Sequence, residues 1–302
     1  MEKVTVGEGG PSMTRIVAGA MRLLQSEETR SVEGLARFID QLLDCGIDWF
    51  DHADIYGQYG VEEHFGRATA LLGERRRAVR LVSKCGIQMV SPGRPQTRIR
   101  HYDTTAIHVR TSVERSLRLL GVERLDLLLI HRPDPLFDAP AVGRMLDELV
   151  AGGLIAHAGV SNFTPSQMEM LQAHMHAPLV TNQVQHSLVH GKALMDGTFD
   201  HAQRTGWRPM LWSPLAAAAT LGDEARPELR QKLVDYAGRL GCDPATLVLA
   251  WAMHHPTVPV AVIGTTRIER FRSLLGAVEL AGNLDREIWF DLYQTSMGQR
   301  IP

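Results

Sequence analysis

The chain has 302 residues, of which 44% are hydrophobic and 22% charged, with 27 Gly and 15 Pro. That composition excludes a fibrous, collagen-like or largely disordered chain, and at this length about 75% of the unfolded surface can be buried without a disulfide or metal staple. Lys and Arg number 32 against 34 Asp and Glu, a formal net charge of -2, so there is no basic run to match a phosphate backbone and nucleic acid is not expected as a partner.

The amino terminus, MEKVTVGEGGPSMTR, lacks the charged start and apolar core of a secretion signal, and Val4 and Val6 suit a short hairpin. Eight short apolar runs follow, at Ile16 to Gly19, Trp49 to His52, Leu81 to Lys84, Leu125 to Ile130, His157 to Val160, Leu179 to Gln183, Arg208 to Trp212 and Val260 to Ile263. Each reads as a strand. Between them the period turns helical, with Ile107, Val113, Leu117 and Leu120 on one expected helix face and Met168, Leu171 and Met175 on another. Thr164, Pro165 and Gln167 read as a cap, an N1 proline and a capping-box partner; Asp243 with Pro244 repeats the device, and Thr266 with Glu269 makes a second box. Leu284 to Met297 reads as a final helix.

Alternating strands and helices produce parallel sheet, because each crossover helix returns the chain to the same edge. Eight units match a closed (β/α)8 barrel, with the site at the carboxyl ends of its strands. The competing open doubly wound sheet usually carries GxGxxG, and neither that pattern nor GxxxxGK[ST] occurs. With no linker or composition break, residues 1–302 are expected to form one domain. No stretch approaches the about 18 apolar residues of a membrane span. Cys45, Cys85 and Cys242 fit neither a disulfide framework nor a zinc site, and a reducing cytoplasm is the expected setting.

On a barrel, polar residues gather at the strand ends. Strand two ends in Asp51, with Tyr56 five residues on in DHADIYG; strand three ends in Lys84 and strand four in His131. A buried ammonium needs a counter-charge, which Asp51 can supply. Alone, that pair reads as a structural ion pair. A nearby phenol changes the reading, because a cation favours phenolate and would make Tyr56 a tuned proton donor. His131 reads as a neutral imidazole orienting a substrate oxygen, or else as a rim residue. Cys85, next to Lys84, should face the opposite side of its strand, among the helices.

Taken in order, DHADIYG, the lysine of VSKCG, the histidine of IHRPDPL, GVSNF, TNQVQ, the SPL turn and IGTTRIER resemble the aldo/keto reductase superfamily, in wording nearest its bacterial YdhF-type subgroup. The resemblance spans about Ile16 to Leu274. It implies hydride transfer between NADPH and a carbonyl carbon of a small-molecule substrate, with Tyr56 as general acid, Lys84 and Asp51 as the pair that lowers its pKa, and His131 orienting the carbonyl. It further implies that Ser161, Asn162 and Gln183 hold the nicotinamide carboxamide, that Trp212 stacks on the ring, and that Ser213, Pro214 and Leu215 follow the pyrophosphate.

At the last strand, Ile263, Gly264, Thr265 and Thr266 lead into a helix start with Arg267 and Arg270 in its first turn. Locally this reads equally as a phosphate site or a solvated basic surface; the resemblance implies the 2'-phosphate of NADP. Two departures stand out. Ser273 and Leu274 occupy positions where many relatives have a Glu and an Asn near the adenine. Arg132 replaces a common Trp, and is read either as greeting a negatively charged or strongly polar substrate or as pairing with Asp134 or Asp138.

Two other functions remain open: a metal-dependent hydrolase using Asp51, His52, Asp54 and His131, and an NADPH-binding redox-sensing module without significant turnover. Specificity is expected in the loops Met21 to Leu24, Ile87 to Arg100 and Pro133 to Asp138, the second polar and long enough for a lid.

Overall fold

The computed structural model describes residues 1–300. An N-terminal hairpin, β1 (Lys3–Thr5) and β2 (Ser12–Thr14), precedes the first barrel strand. The barrel strands are β3 (Ile16–Gly19), β4 (Trp49–Asp51), β5 (Arg80–Cys85), β8 (Leu127–Ile130), β9 (Ala158–Ser161), β10 (Leu179–Gln185), β11 (Met210–Trp212) and β12 (Val260–Ile263). A small second hairpin, β6 (Ile87–Gln88) with β7 (His101–Tyr102), lies between β5 and β8. The eight barrel strands close in the order β10-β11-β12-β3-β4-β5-β8-β9, all pairs parallel. All eight expected runs supply these strands.

Period-two alternation sorts each strand's side chains between two apolar layers. Val17, Trp49, Val82, Leu127, Leu129, Met210, Val260 and Val262 pack inside the barrel with Val6 and Met13 of the hairpin. The hairpin thereby plugs the floor, and Trp49 Nε1 donates to Ser12 O at 3.2 Å. The intervening Phe50, Leu81, Cys85, Leu128, Ile130, Val160, Ala261 and Ile263 face the helices. Cys85 is thus a buried thiol of the helix layer, held far above the usual thiol range by burial.

Helix ends follow the local chemistry with two exceptions. Thr164 and Gln167 form the reciprocal capping box, followed by Pro165 at N1. Asp243 occupies an N-cap ahead of Pro244 without a side-chain cap bond. The box expected at Thr266 does not form: the helix Ile268–Leu274 has Arg267 at its N-cap with no side-chain cap bond, and Thr265 Oγ1 accepts the Arg267 N–H at 3.3 Å. Ile107 lies in the helix Ala106–Leu120 but is 80% exposed. Six residues separate it from Val113, about 120° off the shared face, and Val109 fills the position instead. Met175 is buried but lies beyond the helix Pro165–Gln172.

The C-terminal helix Arg286–Met297 docks through a reciprocal pair. Trp289 stacks on Trp251 at 4.8 Å and 7°, and each indole N–H donates to the other's carbonyl, at 3.2 and 3.0 Å. The polar loop after Lys84 is pinned by the second hairpin, by Met89 N–H donating to Tyr59 Oη at 2.8 Å, and by Arg94 lying 3.8 Å over the Tyr59 ring. Among the described residues no helix is long and apolar enough to cross a membrane.

At Gly66 the helix Val61–Ala70 packs against Ala106–Leu120, and a Cβ there would run into Leu119 O and the Leu120 main chain. Gly66→Ala is therefore expected to cost about 1–3 kcal/mol. Urea unfolding should show a lower midpoint with an unchanged slope.

Candidate active site

Register and ladder bonds bring the polar residues together. Asp51 pairs with Val82 across β4 and β5, and the ladder continues past the strand as His52 N–H donates to Val82 O and Asp54 N–H to Lys84 O. Asp51 and Lys84 consequently both point into the barrel mouth. The chain then turns sharply after Tyr56, with positive φ at Gly57, Gln58 and Tyr59, and the Tyr56 phenol oxygen lies beside Lys84 Nζ.

An ammonium has three hydrogens to place. Lys84, 1% exposed, directs them to Asp51 Oδ2 at 2.7 Å, His52 O at 2.9 Å and Tyr56 Oη at 3.3 Å. Burial alone would depress its pKa, but Asp51 and Tyr56 outweigh it and hold it above the ordinary lysine value. With its oxygen accepting from Lys84, the phenol is left to direct its own hydrogen elsewhere. His131 closes the group, its ring edge-on to Tyr56 at 6.2 Å between centroids. Burial first, then the charges of Lys84, Arg132 and Arg100, keep His131 neutral, far below the usual imidazole range.

The expected acidification of Tyr56 is corrected. Burial raises the phenol above its ordinary value, and Lys84's opposing pull is itself countered by Asp51. The phenol faces a nearly neutral ion pair rather than a bare cation, so in the free protein it stays protonated through neutral pH.

Gln183 reaches this group through a bulge. Val180 faces the barrel interior, and simple alternation would turn Gln183, three residues later, outward. The β9–β10 register shifts between Leu179 and Asn182, which redirects Gln183 so that its Nε2 donates to Asp51 Oδ1 at 2.8 Å. Ser161 Oγ donates to Gln183 O at 2.8 Å, Asn162 Nδ2 donates to Ser161 Oγ at 2.7 Å, and Trp212 Nε1 donates to Asn162 Oδ1 at 2.9 Å. Asn162 sits at φ 60, a left-handed conformation that Asn tolerates. Among the described residues, one amide hydrogen of Asn162 and the Oε1 of Gln183 remain as a donor and an acceptor without protein partners, which is what a carboxamide requires.

The other expected positions lie around the same mouth. Ser213, at φ 51, is exposed, Pro214 is buried and Leu215 is half-buried. The Ile263 side chain is buried in the helix layer, so only its main chain can face the opening. Gly264, Thr265 and Thr266 are half-buried, while Arg267 and Arg270 are exposed. Arg267 lies 4.0 Å from Glu28.

Two sequence readings do not survive. Asp134 takes Thr104 Oγ1 and Leu136 N–H, and Asp138 caps a helix through Ala141 N–H. Neither pairs with Arg132, whose guanidinium instead lies 5.4 Å over Trp212. The four residues of the hydrolase reading also point apart. Asp51 is bound to Lys84 and Gln183, the His52 ring packs edge-on against Phe65 at 4.3 Å, and among the described residues no three His, Cys, Asp or Glu side chains gather as ligands for one ion.

A buried polar cluster behind β5 went unread in the sequence. Glu62 accepts from Ser83 Oγ at 2.6 Å and Ser116 Oγ at 2.9 Å. Among the described residues neither carboxylate oxygen of Asp54 has a side-chain hydrogen-bond partner. Burial and the charge of Glu62, partly offset by Arg94 and Arg115, raise the Asp54 pKa to about 8. No local motif marks this cluster, because its members come from four separate segments of the chain.

A model of the aldo/keto reductase family matches residues 15–292. The chain is 39% identical over 303 residues to "Oxidoreductase YdhF" of Escherichia coli (strain K12), covering 100% of both chains. It is 38% identical over 289 residues to "6-dehydroglucose reductase" of Agrobacterium fabrum (strain C58 / ATCC 33970), covering 96% of each. Among solved structures, the thermostable aldo-keto reductase Tm1743, crystallised with the inhibitor epalrestat, has a TM-score of 0.81 at 24% identity, with 98% of this chain and 100% of that one covered. That last likeness supports the barrel.

Asp54 yields a signed stability prediction. Its carboxyl holds a proton in the folded chain up to about pH 8 but releases it near pH 4 when unfolded, so folding stability declines as pH rises between these values. Asp54→Asn should therefore be more stable than the parent at pH 8. Denaturant titrations at successive pH values should show that gain shrinking towards pH 4.

Proposed function

The chain belongs to the aldo/keto reductase family and is an oxidoreductase, and from that premise we propose that it reduces aldehydes or ketones to alcohols with NADPH, using Tyr56 as general acid. The observation that carries this reading is the Lys84 hydrogen-bond set. Because Lys84 donates to Tyr56 Oη, the phenol's own hydrogen is available to a carbonyl oxygen in the barrel mouth.

The cofactor supplies hydride when bound. The protein's share is at the oxygen. Neutral His131 offers a hydrogen bond that orients the carbonyl, and Tyr56 Oη passes its proton to the oxygen as negative charge develops there. The phenolate left behind already accepts from the Lys84 ammonium, so no group must move to stabilise it. Asp51 keeps Lys84 charged and aimed, and Gln183 keeps Asp51 in place.

For the cofactor, the free donor of Asn162 and acceptor of Gln183 suit the nicotinamide carboxamide, with Ser161 fixing both residues and Trp212 offering a flat face. Ser213, Pro214 and Leu215 border the path for the pyrophosphate. The main chain of Ile263 and Gly264, with Thr265, Thr266, Arg267 and Arg270, forms the basic end that favours a 2'-phosphate and hence NADP over NAD. With the helix starting at Ile268, these two Arg charges, rather than a capped helix terminus, carry that preference. Leu274 is buried in the helix layer and offers the adenine no polar contact; Ser273 is exposed.

The Agrobacterium relative is named for reducing 6-dehydroglucose, which puts aldehyde-bearing sugars among the first substrates to assay. Tyr56→Phe should lower NADPH-dependent aldehyde reduction by roughly a hundred- to ten-thousandfold, while NADPH binding, followed by fluorescence, stays within a few-fold of the parent. Undiminished turnover in the variant would remove Tyr56 from its role.

A further inference from the structure

Resting on this carbonyl-reductase reading, we infer that Arg132 is a specificity-determining residue that selects carbonyl substrates bearing an anionic group, such as a carboxylate. Arg132 directly follows His131 at the mouth end of β8, and its guanidinium is held 5.4 Å over the Trp212 ring. Among the described residues it has no carboxylate partner. The two acids nearest in sequence, Asp134 and Asp138, are committed to Thr104, Leu136 and Ala141. Asp51, the acid within the mouth, is closed off by Lys84 and Gln183.

The charge reaches the reacting groups. Arg132 acts electrostatically on both Tyr56 and His131, and Arg100 acts on His131 as well. Among the described residues neither Arg132 nor Arg100 forms an ion pair with a carboxylate. Arg132 is half-buried, so its field is less screened than that of a fully exposed side chain. The planar guanidinium fork matches a carboxylate, and stacking on Trp212 restricts it before substrate arrives.

On the same reading, the nucleotide's 2'-phosphate already has its own charges in Arg267 and Arg270. In the closed ring of eight strands, β8 lies four strands from β12, which carries Arg267 and Arg270. Arg132 springs from the strand opposite that basic end and reaches across the mouth to Trp212 on β11. A reduced nicotinamide ring, the part of the cofactor read as reaching the mouth, carries no negative charge. The anion assigned to Arg132 is the substrate's; the pyrophosphate path read at Ser213 also borders Trp212, and NADPH binding by an Arg132→Met variant distinguishes the two.

The test compares matched aldehydes: succinic semialdehyde against butanal, and para-carboxybenzaldehyde against its methyl ester, all with NADPH at low ionic strength. The parent should favour the anionic member of each pair by about tenfold or more in kcat/KM, with the preference shrinking as salt is added. Arg132→Met should collapse that ratio to near one, mainly through KM for the anionic aldehyde, and Arg132→Lys should restore part of it. A parent that shows no anionic preference, or an Arg132→Met variant that keeps the ratio, overturns the inference while leaving the reductase reading intact. So does an Arg132→Met variant whose only change is weaker NADPH binding, equal for both aldehydes. If the parent reduces none of the four, the reductase reading itself fails.

Discussion

The site depends on one buried cation whose every hydrogen is assigned. An ammonium inside a barrel is tolerable only when desolvation is offset by acceptors on each N–H and by a counter-charge. Lys84 meets both conditions with three acceptors drawn from the six residues Asp51 to Tyr56: a carboxylate, a main-chain carbonyl and a phenol oxygen. The ladder bonds from His52 and Asp54 to β5 hold that segment against the strand carrying the lysine. Displacing any of the three would leave an N–H buried without a partner. The requirement to satisfy the cation therefore also fixes where the phenol sits.

A second network supports the first from across the barrel. The β10 bulge turns Gln183 onto the free oxygen of Asp51, and Ser161, Asn162 and Trp212 extend the chain of hydrogen bonds around the mouth as far as the ring that Arg132 covers. Contributions from β4, β5, β8, β9, β10 and β11 thus meet at one end of the barrel. The opposite end is sealed by the hairpin and a layer of apolar residues that includes Trp49, Val82 and Leu129. Chemistry and packing are separated along the barrel axis, so loops at the mouth can vary without disturbing the floor.

Much of this was legible because it rests on short-range patterns. Apolar runs mark all eight strands, with ends within two residues of those observed, and Asp51, Tyr56, Lys84 and His131 stand where strand ends meet. The illegible parts depend on tertiary geometry. The Gln183–Asp51 bond needs a bulge that no turn residue in TNQVQ announces. Thr266 has the spacing of a cap, yet the helix takes Arg267 as its N-cap instead. Arg132 could be flagged but not placed, because whether Asp134 and Asp138 were available depended on contacts with Thr104 and with a helix start. The direction of the Tyr56 shift failed for a related reason: a cation was visible in the sequence, but the depth of burial and the closeness of its own counter-ion were not.

The central claim concerns hydrogens, and neutron diffraction from deuterium-exchanged crystals locates them directly. The account predicts three deuterons on Lys84 Nζ aimed at Asp51 Oδ2, His52 O and Tyr56 Oη, with the phenol deuteron turned away from the lysine into the barrel mouth. A neutral Lys84 amine accepting the Tyr56 deuteron would contradict it.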